Sequence, residues 1–200
     1  MLSLKILLRA LRAGELKTIF ISLCLSVAVV AAVSIFAERI EKAIVNESKE
    51  LLGSDFIVKS SKPIPQVWIE YAVNRNIDVS RTLSFASVVF FNENMHLAYI
   101  KAVESNYPLR GSILTSQLPF TYDVKQMEEF TSGPKVGEIW VESRLLPILN
   151  VEIGSQIDIG ESSLTITKIL IEEPEGPSFS ILGSRILMNF ADVESTNVVQ

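Results

Sequence analysis

Residues 18–37, TIFISLCLSVAVVAAVSIFA, carry no charge and no proline. No other stretch restricts so strongly what the chain can become. At about 1.5 Å of rise per residue, a helix of this length covers about 30 Å, the hydrocarbon thickness of a bilayer. Lipid offers backbone groups no partners, so a crossing segment must satisfy its own, which a helix does. A secretory signal is the competing reading, since the leader is basic and AVS at residues 32–34 resembles a small-residue cleavage site. Cleaved signals, however, usually have apolar regions of about 7–15 residues. This run continues into ERIEKAIVNESKELLG with no break in helical pattern. Ile40, Ala43, Ile44, Leu51 and Leu52 fall near one face, and Gly53 stands where a helix C-cap is expected. The sequence therefore predicts a transmembrane helix over residues 18–37 and a stalk helix over 38–53.

Charge is distributed unevenly about this span. Residues 1–17 hold Lys5, Arg9, Arg12 and Lys17 against Glu15, a balance of +3, so the rest of the chain sums to −8 within a total of −5. A basic start suits anionic headgroups, whereas an acidic remainder lacks the clustered Lys and Arg that phosphate backbones require, which excludes nucleic acid as a partner. Four Lys and Arg precede the span and three (Arg39, Lys42, Lys49) follow in a comparable length, a small bias toward an inside N terminus. In the leader, Leu4, Leu7, Leu8 and Leu11 share one helical face while Lys5, Arg9 and Arg12 share another. Residues 1–17 thus read either as an amphipathic helix lying in the headgroup layer or as a basic flank that sets topology.

After Gly53 the period changes. DFIVKS reads as a short strand, KPIPQVWIEYAVNRN as a proline-initiated helix and IDVSRTLSF as a second strand. ASVVFFNENMHLAYIKAVES offers two β-rich runs about NEN, a hairpin signal. YPLRG to GPKVG is rich in Ser, Thr, Pro and Gly and reads as a long loop. EIWVE, SQIDIG, SSLTITKILIE and RILMNF follow as strands, with SRLLPILN as a short helix. The expected fold class is a membrane-anchored α+β chain: one N-terminal transmembrane helix extending into a stalk, then a mixed β-rich domain over 54–200, sheet against one or two helices.

Chemistry is sparse. The single cysteine, Cys24, lies inside the apolar run, so neither an internal disulfide nor a cysteine metal cluster can form. His96 is the only histidine and alternates with Met95 and Leu97 on an expected strand face. No GxxxxGK[ST] loop occurs, so the chain does not hydrolyse ATP by the P-loop route. Glu172, Glu173 and Glu175 surround Pro174 and read as a solvated loop, and Arg110-Gly111 as a turn. The residues nominate no catalytic, cofactor or metal site, and the chain is read as not an enzyme.

The order of segments carries more than any single residue. LLRALRAGELK, the span, FAERIEKAIVNESKELLGSDFIVKS, RTLSFASVVF, IKAVESNYPLRG, GEIWVESRLL and IGSQIDIG together resemble the N-terminal part of FtsX-like ABC transporter permeases. The branch they resemble is the large bacterial permease found beside an ATPase subunit and a lysophospholipase or thioesterase neighbour. The resemblance implies that residues 54–200 begin a MacB-type periplasmic core domain, so that 38–200 is extracytoplasmic, the N terminus cytoplasmic and the location the bacterial inner membrane. It implies a permease that couples a separate P-loop ATPase, which binds the ATP, to movement or export of a lipid-like or lipoprotein substrate. A second permease copy and membrane lipids are the further partners implied. Arg9, Arg12, Gly14 and Glu15 match the family's leader and are candidates for contact with headgroups or the ATPase. Family members continue for several hundred residues with further spans, whereas this chain stops at STNVVQ, which points to a fragment, a truncated frame or half of a split gene. The alternative from a different class is a singly anchored or secreted binding module.

A retained anchor and a cleaved signal differ in one measurable quantity. Mass spectrometry of the membrane-extracted protein is expected to find the leader and span intact, and mature chains beginning near Ile35 would overturn the anchor.

Overall fold

The computed structural model describes residues 15–121, 123–174 and 183–198, with side chains left out at 15–16 and 43–52. Arg9, Arg12 and Gly14 of the leader, and Glu175, lie outside the described residues, as does the side chain of Glu15. The chain divides into two compact units, Met1–Glu47 and Ser48–Gln200.

Helix α1, Glu15–Leu52, contains the apolar run. Its stretch Lys17–Lys42 is long and apolar enough to cross a membrane, and none of the 18-residue window that qualifies it is buried within the protein. At about 1.5 Å per residue those 26 residues measure about 39 Å, more than the hydrocarbon layer requires. Ile19, Phe20, Leu23, Val30 and Phe36 all face outward, a distribution that water would penalise and lipid would not. Cys24 is a free, exposed thiol on the same surface. The helix ends at Gly53, whose φ of +65° is the left-handed conformation that an αL cap demands.

The second unit is built on strands. Helix α2 (Gln66–Val73) follows Pro65 and buries none of its residues. Strands β1 (Thr82–Phe91) and β2 (Asn94–Val103) form a hairpin in full register, from Phe91 opposite Asn94 to Thr82 opposite Val103. Asn92 supplies the turn with φ 53°, a region Asn tolerates better than most residues. Strands β3 (Ile113–Ser116), β4 (Met127–Phe130) and β5 (Glu138–Glu142) come next. Helix α3 (Leu145–Leu149) precedes β6 (Gln156–Ile159), β7 (Ser162–Glu172) and β8 (Ser184–Asn189). Helix α4 (Val193–Thr196) is last.

The sheet runs β4-β3-β7-β5-β8-β2-β1-β6, and β6 pairs with β7 as well as β1. That second pairing closes β1, β2, β8, β5, β7 and β6 into a barrel, leaving β3 and β4 as an extension. β7 makes this possible by its length: Ser162 to Thr165 pair with β6, and Ile169 to Glu172 pair with β3 on the same edge. A bulge between Ile166 and Lys168 against β5 reorients the strand between those two halves.

Alternation assigns the two faces. Ile100, Ala102, Ile139, Val141, Ile157, Ile159, Ile166, Ile186 and Met188 fill the interior. Leu145, Leu146 and Leu149 of α3 close one end, where the Asn94 side-chain amide donates to the Leu149 carbonyl at 3.1 Å. Pro147 is tolerated in α3 because it sits in the first turn, where no intrahelical donor is needed. Phe190 and Val193 pack against the core as well. On the outer face Val103, Tyr107, Ile113, Trp140, Leu170 and Leu187 form a second cluster, with the Phe130 and Trp140 ring centroids 5.3 Å apart.

The α+β class stands, with four local corrections. Residues 56–60 of DFIVKS form no strand: Phe56 and Val58 are exposed, and no neighbouring strand accepts the alternating pattern. IDVSRTLSF and ASVVFF are one strand, β1, beginning only at Thr82. The expected loop between YPLRG and GPKVG contains the β3–β4 pair, because Ile113 and Phe130 reach the outer cluster around Trp140. The sheet also closes on itself, so α3 and α4 pack at its margins instead of forming a second layer.

The interior sets the stability of this barrel. Ile186→Ala is expected to cost about 2–5 kcal/mol, since Ile186 is 1% exposed, while Leu97→Ala on the outer hairpin face should stay within about 0.5 kcal/mol. Urea unfolding of the two variants checks the difference.

Candidate functional site

Two of the sequence segments that carried the family resemblance meet at the end of α1. ELLGSD supplies Gly53 and Asp55, and YPLRG supplies Tyr107, Pro108 and Arg110. The Arg110 backbone N–H donates to the Gly53 carbonyl at 2.9 Å. The Arg110 guanidinium reaches Asp55 Oδ2 through Nη2 at 3.1 Å and Nε at 3.3 Å. Arg110 therefore both closes the helix terminus and holds the residue two positions beyond it.

Gly53 is confined as well as left-handed. It is buried, and a Cβ there would stand 2.7 Å from Cβ of Pro174 and 3.4 Å from Cβ of Pro108. Two proline rings thus form a seat that admits backbone and nothing larger. The Tyr107-Pro108 peptide is cis.

Under that seat lies an ammonium group. Lys101 on β2 and Glu173 just past β7 keep only 7% and 8% of their side-chain surface, and Lys101 Nζ stands 3.4 Å from Glu173 Oε2. Nζ also donates to the Tyr107 hydroxyl oxygen at 2.6 Å and to the Pro174 carbonyl at 3.2 Å. The Tyr107 hydroxyl in turn donates to that same carbonyl at 2.7 Å. The ammonium thus hydrogen-bonds a phenol and a carbonyl and stands in ion-pair range of a carboxylate, the kind of partners that a charge removed from water requires.

The network extends across the outer face. Arg185 Nη1 lies 4.0 Å from Glu173 Oε1, and Arg185 Nη2 donates to the Ile171 carbonyl at 3.2 Å. The Arg185 backbone N–H donates to Glu142 Oε2 at 3.1 Å, and Glu142 pairs with Arg144 at 2.9 Å. Charges of alternating sign therefore run from β2 past the end of β7 to β8 and β5. They are side by side because β2 and β8 pair in parallel, Tyr99 opposite Arg185 and Lys101 opposite Leu187, while β5 runs antiparallel on the other side of β8.

Glu173 corrects an expectation: it is buried and paired, while Glu172 beside it faces water. The sequence also gave no prominence to Lys101. Its one signal is a charge at an alternating position within IKAV, and such a charge is ordinarily solvated. Here Tyr107, Glu173 and Pro174 gather round it, and the last two are a long-range fact that no local pattern carries.

Elsewhere the groups are less organised for chemistry. His96 Nε2 lies 3.4 Å from the Ser184 hydroxyl, and among the described residues no carboxylate bonds His96, so the pair lacks the third member that orients a base. Among the described residues no group of three His, Cys, Asp or Glu could hold a metal ion.

No family model matches the chain. The chain is 32% identical over 193 residues to a protein of Escherichia coli (strain K12) described as the uncharacterized ABC transporter permease YbbP. The match takes in 96% of this chain and 22% of that relative, so the chain spans about a fifth of the relative's length. The likeness is thus to one part of a protein described as a permease, and in this chain the helix long and apolar enough to cross a membrane is exposed.

Burial decides what the two lysine pairs of the sheet contribute. Lys101→Ala is expected to lower stability by as much as about 3–5 kcal/mol, because it takes the nearer cation from the buried Glu173 and leaves it only the more distant Arg185. Lys168→Ala, whose partner Glu128 keeps 48% of its side-chain surface, should cost no more than about 1 kcal/mol. Thermal melts of both variants measure the contrast.

Proposed function

We propose that the chain is part of the membrane subunit of an ABC transporter and conveys motion from a separate ATPase through α1 to the barrel domain. The observation that carries this reading is the fit at Gly53. A helix that only tethers a domain ends in a linker, whereas this one ends in a capped glycine set between Pro108 and Pro174 and bonded to Arg110. Such a terminus passes displacement to the sheet instead of absorbing it.

Within this reading the chain is of the FtsX-like type and its barrel a MacB-type periplasmic core domain. Residues 1–17 are the cytoplasmic leader, 18–37 the span, 38–53 the stalk and 54–200 the extracytoplasmic domain at a bacterial inner membrane. Arg9, Arg12, Gly14 and Glu15 contact headgroups or the ATPase, which alone binds ATP. A second permease copy completes the assembly, a lysophospholipase or thioesterase is its neighbour, and the cargo is lipid-like or a lipoprotein. The chain itself performs no catalysis. The relative's description as a permease, together with the span, supports the class; the cargo follows from the family resemblance alone.

Affinity purification from gently solubilised membranes tests the reading. A P-loop ATPase is expected to co-purify in a fixed ratio, with ATP hydrolysis in the isolated complex. Recovery of the chain alone, with its barrel binding a ligand in the absence of any ATPase, would replace the transporter by the anchored binding module.

A further inference from the structure

The charge network under the helix seat has no catalytic use and is a costly way to hold a sheet together. A buried ion pair replaced by apolar side chains of similar volume is often as stable or more so. Its value must then lie in where it fixes things, and the atoms it fixes are those that touch Gly53. Lys101 Nζ and the Tyr107 hydroxyl converge on the carbonyl of Pro174, and Tyr107 is joined directly to Pro108. Both walls of the glycine seat are therefore held by the same ammonium.

We infer that Lys101, with Tyr107 and Glu173, is a positioning device that sets the docking point of the α1 terminus on the barrel. Gly53 can approach closely only while Pro174 and Pro108 keep their spacing, since contact is already at the limit that a missing Cβ allows. The ammonium bonds the backbone of one wall and the side chain joined to the other. Through Glu173 the position is referred to Arg185 on β8, and through Arg185 to Glu142 on β5. Displacement at Gly53 is thereby delivered to three adjacent strands together, where apolar packing alone would let the prolines slide. This deepens the reading of α1 as a moving element and rests on it.

Hydrogen exchange reads the docking directly, because the Arg110 amide is protected by the Gly53 carbonyl. The experiment uses the whole chain in detergent micelles without an ATPase, so its failure is separate from a failure to find a transporter complex. In the double variant Lys101→Met, Glu173→Met, the melting temperature is expected to hold or rise, since Arg185, which loses Glu173, keeps Glu142 Oε2 at 3.9 Å. Exchange at the Arg110 amide should quicken about tenfold while Val141 and Leu187 in the sheet keep their protection. Tyr107→Phe, which removes one hydroxyl and no charge, should quicken it several-fold with the sheet again unchanged. An Arg110 amide that exchanges at its original rate in both variants would overturn the inference. Equal loss of protection at Arg110, Val141 and Leu187 would also overturn it, because the network would then be supporting the barrel as a whole.

Discussion

An ammonium taken out of water must be given polar partners, and the fold around Lys101 is arranged to supply them. One partner comes from the turn after β2, one from the backbone past β7 and one from the carboxylate beside it. Tyr107 lies 6 residues from Lys101 in sequence and Pro174 lies 73. Satisfying a single charge therefore fixes where two loops cross the outer face of the sheet, and Gly53 fits where they meet. Coulomb attraction alone does not explain the arrangement, since desolvating both ions offsets much of it. What the interaction contributes is direction, which an apolar cluster such as Trp140, Leu170 and Leu187 cannot supply.

Closure of the barrel serves the same end. A flat sheet could twist under load at its edges, but β6 bonded to both β1 and β7 removes two of them. The interior is then sealed by Leu145, Leu146 and Leu149, and packing at native density leaves little compliance.

Much of the architecture is legible because local patterns carry it. The uncharged run, the hairpin about Asn92 and the strands EIWVE, SQIDIG and RILMNF each announce themselves by period or turn chemistry, and Gly53 by its place after a helical face. DFIVKS shows the limit: alternation proposes a strand, but only a partner makes one, and among the described residues no strand pairs with it. β3 and β4 show the converse, four-residue strands in a segment of loop-like composition, held by long-range pairing to β7. The site divides the same way. The segments ELLGSD and YPLRG are visible in the sequence, yet that they touch, and that Lys101 and Glu173 are buried, depends on pairings and coverings tens of residues apart.

The same apolar side-chain types face outward along α1 and inward in the barrel, and this contrast separates the two units. In the barrel, isoleucines at alternating positions find one another across a closed sheet. Along Lys17–Lys42 no face is reserved for a core, because side chains are exposed all around. Apolar surface of that extent is stable only in an apolar surrounding, so the medium completes the first unit as protein completes the second. The glycine cap belongs to the second unit, beyond the apolar stretch. There the Gly53 carbonyl no longer lies in the span, and the Arg110 N–H is placed to satisfy it.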